Sequence, residues 1–318
     1  MASTAPLAEQ SLDQPLVARP ANLWRDTLRN LLGQRSAQAG LLLLGVVLLM
    51  AVAAPILATH GETTNMLDAG ETRATGAVRN AAPCIHLLGC AASKSQHILG
   101  LDSNLRDEYS RVIYASRVSL EVGFFTVGIA IIIGTVLGAI AGYAGGWADN
   151  LVMRVMDVLL AFPALVLAIA IVTVLGPSLV NAQIAVAIVG IPVYARVMRA
   201  SVLSIRERDF VTASRALGAS SSDILLRRIL PNALTPLIVQ GTLGIAGAIL
   251  DVAALSFLGL GSQAPAADWG SMIGDARNVV FVAPWLVLAP GAAIAIMVLG
   301  FNLLGDGLRD ALDPRLNR

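Results

Sequence analysis

Residues 207–231 read E-R-D-F-V-T-A-S-R-A-L-G-A-S-S-S-D-I-L-L-R-R-I-L-P. Phe210, Ala213 and Leu217 recur at i, i+3 and i+7, which puts them on one face of a short helix. Arg208, Thr212 and Arg215 fall on the opposite face. Gly218 stands where a helix end favours a left-handed residue. Ser220-x-x-Asp223 opens a second helix in the manner of a capping box, and Pro231 is expected to close it. The stretch therefore specifies helix, glycine turn, helix. From pattern alone, two roles stay open: docking into another protein, or resting on lipid headgroups.

This hairpin sits between two long apolar runs, 179–198 and 233–258. Each has the roughly 20 residues needed to cross a bilayer. Working outward, comparable runs occupy 38–58, 118–142, 155–175 and 283–305. The fold class expected is an all-α integral membrane protein with six transmembrane helices. Its expected divisions are a tail (1–37), a first span (38–58), a polar loop (59–117), a five-helix core (118–305, hairpin loop 199–231) and a second tail (306–318).

Composition agrees. The chain is 56% hydrophobic and 14% charged, whereas soluble domains carry about 25% charged residues. Its net charge of +1 gives no reason to expect nucleic acid. The first apolar run follows a long polar segment with Arg19, Arg25, Arg29 and Arg35, unlike a cleaved signal. Basic residues flank the runs unequally. Arg73, Arg79, Lys94, Arg106, Arg111, Arg117 and Arg277 fall on one side, and the more numerous remainder fall on the other. The positive-inside rule then puts both termini and the 207–231 hairpin in the cytoplasm. Residues 105–116 read as a separate interfacial helix on the outer side.

Lys94 is the only lysine, and Ser93 precedes it where a phosphate-binding loop needs glycine. No such nucleotide site is present in the sequence. The three histidines, His60, His86 and His97, all fall in the outer loop, and no nucleophile–base set or metal cluster is expected within the spans. Cys84 and Cys90 lie in that loop, on the side where disulfides persist. A bonded pair is expected. Free thiols, or a metal site using His86 and His97 as well, are the alternatives.

Carboxylates inside apolar runs are costly and need a partner or a watery path. Asp251 is the deepest, and Gln240 lies on the same run. Both are candidates for a translocation path or a subunit interface, against a purely structural pairing of Asp251. Glu121 and Asp157 lie near run ends, and Asp157 is expected to pair with Arg154 at i, i+3. Gly134-x-x-x-Gly138 is a small-residue packing motif.

The run F-V-T-A-S-R-A-L-G, with L-P closing at Leu230–Pro231, resembles the E-A-A-x-x-x-G loop of binding-protein-dependent ABC importer permeases. Residues 97–120 (H-I-L-G-L-D-S-N-L-R-D-E-Y-S-R-V-I-Y-A-S-R-V-S-L), 142–163, 255–270 and 305–315 resemble segments of the dipeptide/oligopeptide branch of that family, on the side of its second, "C" permease. The resemblance implies a type I importer permease. Thr212, Ala213 and Ser214 match the E-A-A positions, with Thr212 in place of the usual Glu, and Gly218 matches the Gly.

The same resemblance implies the partners: a second permease, two ATP-binding subunits and an extracytoplasmic solute-binding protein, in a bacterial inner membrane. ATP and Mg would be bound by the ATPases, and this chain would carry no cofactor and no catalytic residue. The implied cargo is dipeptides or oligopeptides, with nickel complexes, glutathione or antimicrobial peptides as alternatives. A stand-alone secondary transporter is the rival class. It needs no such hairpin and more often shows an inverted repeat.

Overall fold

The structure is a computed structural model that describes residues 29–312. The tail through residue 28, with Arg19 and Arg25, and the terminal Arg315 and Arg318 lie outside the described residues.

Among the described residues, nine helices of eight residues or more carry the architecture: α1 (Arg35–Val52), α2 (Glu108–Ala144), α3 (Gly146–Leu160), α4 (Ala164–Leu175), α5 (Leu179–Arg206), α6 (Asp209–Ala216), α7 (Leu230–Phe257), α8 (Trp269–Ala276) and α9 (Trp285–Leu312). Within the described residues, five stretches, containing α1, α2, α5, α7 and α9, are long and apolar enough to cross a membrane. The bent pair α3–α4 makes a sixth if counted as one span. Among the described residues the only extended pairing is three isolated bridges in the 59–107 loop.

The core forms where α2 lies along α5, with α7 packed against both. Close approach explains the small residues. A Cβ on Gly134 would stand 2.7 Å from the Cβ of Tyr194, and one on Gly138 would run into the carbonyl of Ala195. The packing role read from Gly134-x-x-x-Gly138 is thus what the structure uses. Polar ties fasten the ends. Asp149 of α3 accepts from Arg199 Nε and Nη2 of α5 (2.5 and 2.6 Å), and Arg206 Nη1 donates to the carbonyl of Gly142 (3.0 Å). On the far side, α1 packs against α9.

Four expectations fail, each for a physical reason. The third span is not one helix. α3 stops at Leu160, and α4 starts at Ala164 after a 91° bend. Pro163 has no N–H to continue the ladder and disfavours helical backbone at Phe162 before it. Next, residues 105–116 are not a separate interfacial helix. Nothing between 108 and 118 breaks the helix, so these residues become the first turns of α2, with Ser110, Arg111 and Ser116 buried.

Pro231 likewise does not end a helix. The chain passes from Ser221–Asp223 through a π segment, Ile224–Ile229, straight into α7. The wider π turn accommodates a ring that clashes with the carbonyl four residues back in an α-helix. Finally, Asp157 pairs with Arg196 (2.6 Å) rather than Arg154, since α3 lies beside α5.

Candidate functional site

The 207–231 hairpin is built by its capping groups. α6 ends in a Schellman arrangement. The Ala219 N–H donates to Ser214 O (3.1 Å), and Gly218 N–H to Arg215 O (3.0 Å). Gly218 has φ +84°, and open space surrounds a Cβ built there, so conformation and not crowding requires glycine. Ser220 Oγ then accepts from Asp223 N–H (3.2 Å), which starts the return segment.

Three apolar side chains anchor the hairpin, one on α6 and two on the return segment. Val211 is fully buried, in the cluster that includes Ile205, Ile224 and Ile229. The face formed by Phe210, Ala213 and Leu217 is left uncovered, with Leu217 88% exposed and Phe210 41%. Arg208, Thr212 and Arg215 are exposed too. Leu230 is partly covered and Pro231 exposed at the hairpin's exit. Ser214 turns its hydroxyl back to Phe210 O (2.8 Å), so this matched position adds no outward polar group.

A second feature lies along α7. A cavity of about 250 Å³ is lined by Thr126 of α2, Tyr194 of α5, Gln240 and Asp251 of α7, and by Leu160 and Phe162 beside the α3–α4 bend. The two polar α7 residues singled out in the sequence therefore share one space. Asp251 has no hydrogen-bond or ion-pair partner among the described residues. Thr126 Oγ1 is buried in the wall without a partner. A carboxylate, an amide and two hydroxyls facing an otherwise apolar space are what a cavity needs to pass a polar solute. At about 1.5 Å per residue, roughly 32 Å of continuous helix joins Leu230 of the hairpin to Asp251.

At the opposite end, the 59–107 loop packs as a small cap over Met66, Ala77 and Leu101. Cys84 and Cys90 are joined in a disulfide, which removes the metal alternative that needed their thiols. Asp107 caps α2, accepting from Ser110 N–H (2.9 Å) and Ser110 Oγ (2.7 Å). Arg111, 2% exposed, donates to the carbonyls of Glu62 and Pro265, both at 3.1 Å. Arg106 Nε meets Asp102 Oδ2 at 2.7 Å, and Trp269 Nε1 donates to Val112 O (2.9 Å).

The titrations here follow from burial and partners. Burial opposes charge on His97, but hydrogen bonds to Asp107 and Glu71 outweigh it and hold its pKa above the usual value. Burial also pushes Asp107 upward, and the bonds from His97 and Ser110 bring it below the usual carboxylate range. Asp268, which caps α8, stays above that range because burial exceeds the bonds it accepts from Ser271 and its neighbours.

Sequence reasoning missed this polar cap. Its signal is the mix of acids and bases over 102–111, part of which falls in the 105–116 stretch read as an interfacial helix.

The matches to known proteins agree with this geometry. A family model described as "binding-protein-dependent transport system inner membrane component" matches residues 134–318, and one for the N-terminal TM domain of oligopeptide transport permease C matches 22–83. The dipeptide transport system permease protein DppC of Alkalihalophilus pseudofirmus is 47% identical, over 92% of this chain and 90% of the relative. The di/tripeptide transport system permease protein DppC of Pseudomonas aeruginosa is 42% identical, over 98% of this chain and 97% of the relative. The glutathione transport system permease protein GsiD of Pectobacterium atrosepticum is 46% identical, over 70% and 74%. In fold, the chain is similar to a chain of the MetNI methionine ABC transporter in an inward-facing conformation. The TM-score is 0.52 at 19% identity, covering 64% of this chain and 97% of that one.

Proposed function

The chain belongs to the family of binding-protein-dependent transport system inner membrane components, and from that premise we propose that it is the permease subunit of an ATP-driven importer of dipeptides and oligopeptides. It forms half of the translocation path beside a second permease. Two ATP-binding subunits hold ATP and Mg and do the hydrolysis. A solute-binding protein delivers the cargo on the outer side, to the face that carries the 59–107 loop. Both termini and the hairpin lie in the cytoplasm, as the arginine bias favours.

The observation that carries this reading is the uncovered apolar face of Phe210, Ala213 and Leu217 on a hairpin anchored by Val211. Apolar surface exposed at the tip of an ordered element is stabilised by a partner that buries it. The ATPase is that partner. Its closure on ATP moves the hairpin. The continuous π segment and α7 carry the displacement toward Asp251 and Gln240. The cavity then alternates between the two sides. The chain itself performs no bond chemistry.

Relatives matched over nearly their whole length and named for dipeptide and di/tripeptide transport favour peptide cargo. Similarity to glutathione permeases supports a second reading for a modified tripeptide, which the same cavity suits. The test is reconstitution with the partner ATPase, second permease and binding protein, with a cysteine at Leu217 for cross-linking. The reading requires cross-links to the ATPase and uptake of peptide that depends on ATP and the binding protein. A hairpin that touches no ATPase in an active complex overturns it.

A further inference from the structure

We propose that His60, His97 and Asp107 form a binding site for a divalent transition-metal ion of the zinc class, with Glu71 as the carboxylate that orients His97. One ligand atom from each of the three residues lies within 4.8 Å of the others. His97 and Asp107 are buried, while His60 is partly open to solvent. The cluster lies in the 59–107 loop and at the start of α2, away from both the hairpin and the cavity, so the proposal stands independently of the transport reading.

The argument begins with the His97 ring. Its Nδ1 lies 3.0 Å from Asp107 Oδ1, and its Nε2 lies 3.1 Å from Glu71 Oε2. Neutral imidazole carries one N–H. If that N–H faces Glu71, the lone pair on Nδ1 points at a carboxylate oxygen, and two acceptors oppose each other in a buried space. A proton between them, on the ring or on the carboxyl, resolves this, and so does a metal ion.

Several details suit the metal. Histidines that ligate metal usually donate their other ring N–H to a carboxylate, which is the relation of His97 to Glu71. The oxygens of Asp107 are divided in labour. Oδ2 accepts from Ser110 N–H, Ser110 Oγ and Thr59 Oγ1, and Oδ1 faces only His97. Metal–ligand lengths of about 2.1 Å at a tetrahedral angle set two donors about 3.4 Å apart, so the His97 Nδ1–Asp107 Oδ1 spacing of 3.0 Å needs to open by a few tenths of an ångström while His60, in a set that extends to 4.8 Å, draws in.

His60 completes the set. Its ring centroid is 5.8 Å from that of His97, and Thr59 Oγ1 orients it through Nδ1 at 3.0 Å. Three protein ligands and one open side leave a fourth position for water. The bound ion would clip the start of the loop, the Cys84–His97 bridge and the cap of α2 into one unit.

The test uses the assembled importer in detergent, stripped with chelator and titrated with zinc against a competing zinc dye, with bound metal counted by mass spectrometry. One zinc per copy of this chain is expected. His60→Ala removes a ligand whose only other side-chain hydrogen bond is to Thr59, and should weaken binding at least tenfold. Glu71→Gln should weaken it by about 10- to 100-fold. His86→Ala, in the same loop but outside the cluster, should change nothing.

Cobalt in place of zinc should show tetrahedral d–d bands that His60→Ala alters. If the wild-type complex binds no stoichiometric zinc or cobalt, or if His60→Ala and Glu71→Gln bind as tightly as His86→Ala, the site is a doubly hydrogen-bonded imidazolium and the proposal is wrong.

Discussion

The buried Arg111 guanidinium at the start of α2 donates to the carbonyl of Pro265 across 3.1 Å, linking residues 154 positions apart. Its other bonds reach Glu62 O (3.1 Å) and Ala266 O (3.4 Å). One side chain thus joins the loop after α1, the head of α2 and the turn before α8. Hydrogen bonds to charged groups contribute about 1.5–3 kcal/mol each. Arg111→Met should therefore lower the melting temperature of the purified chain by several degrees, and Arg111→Lys should not restore it because ammonium lacks the fork. Thermal unfolding followed by intrinsic fluorescence checks both.

The turn at Gly218 should tolerate no β-branched side chain, since its φ of +84° is a left-handed conformation. Holding a bulky residue there costs about 1–3 kcal/mol, enough to reshape the hairpin without unfolding the spans. Gly218→Val should therefore leave the protein in the membrane but abolish solute-stimulated ATP hydrolysis. Gly218→Ala should give a partial loss. Normal coupling in the valine variant would count against the docking role.

Helix approach sets the next expectation. Gly138 lies against the carbonyl of Ala195, and no neighbouring side chain can swing away to make room. Overpacking of this kind costs about 1–3 kcal/mol. Gly138→Leu should force α2 and α5 apart and lower thermal stability. Gly128, around which nothing approaches, should accept Ala with little change. Comparing the two melting curves decides it.

Asp251 has no partner to lose among the described residues. Asp251→Asn should leave expression and folding intact, because neutralising an intramembrane carboxylate removes a cost of about 2.5–3.5 kcal/mol. Peptide uptake should fall about tenfold if the carboxylate engages the solute through a charged hydrogen bond. ATP hydrolysis without solute should stay near wild type. Uptake assays in proteoliposomes separate these quantities, and unchanged uptake would remove Asp251 from the path.

Loss of the disulfide should be local. Joining residues six apart in sequence contributes about 2 kcal/mol on the loop-entropy account. Cys84→Ser with Cys90→Ser should make the 75–97 region exchange amide hydrogens faster, with the spans unaffected. Hydrogen exchange read by mass spectrometry reports this directly.

Much of this fold is legible along the chain because a bilayer demands long apolar runs, and α1, α2, α5, α7 and α9 announce themselves that way. The hairpin is legible for a different reason: Gly218 and Ser220 are local capping signals that act over three or four residues. What stays hidden is tertiary. Pro163 breaks a span and Pro231 does not, although both are prolines near apolar runs, because a π turn absorbs one and a right-angle bend uses the other. The cluster of His60, Glu71, His97 and Asp107 spans 48 positions and follows no spacing rule, so only folding brings its members together.

Residues 161–163 belong to neither α3 nor α4, and Phe162 borders the cavity. A chain that abandons its helix inside a bilayer exposes peptide groups that oil cannot satisfy, so such breaks survive only beside protein or water. The cavity beside Phe162 gives the corner such a neighbour, so a bulky residue that filled it would strand these peptide groups as well as narrow the space.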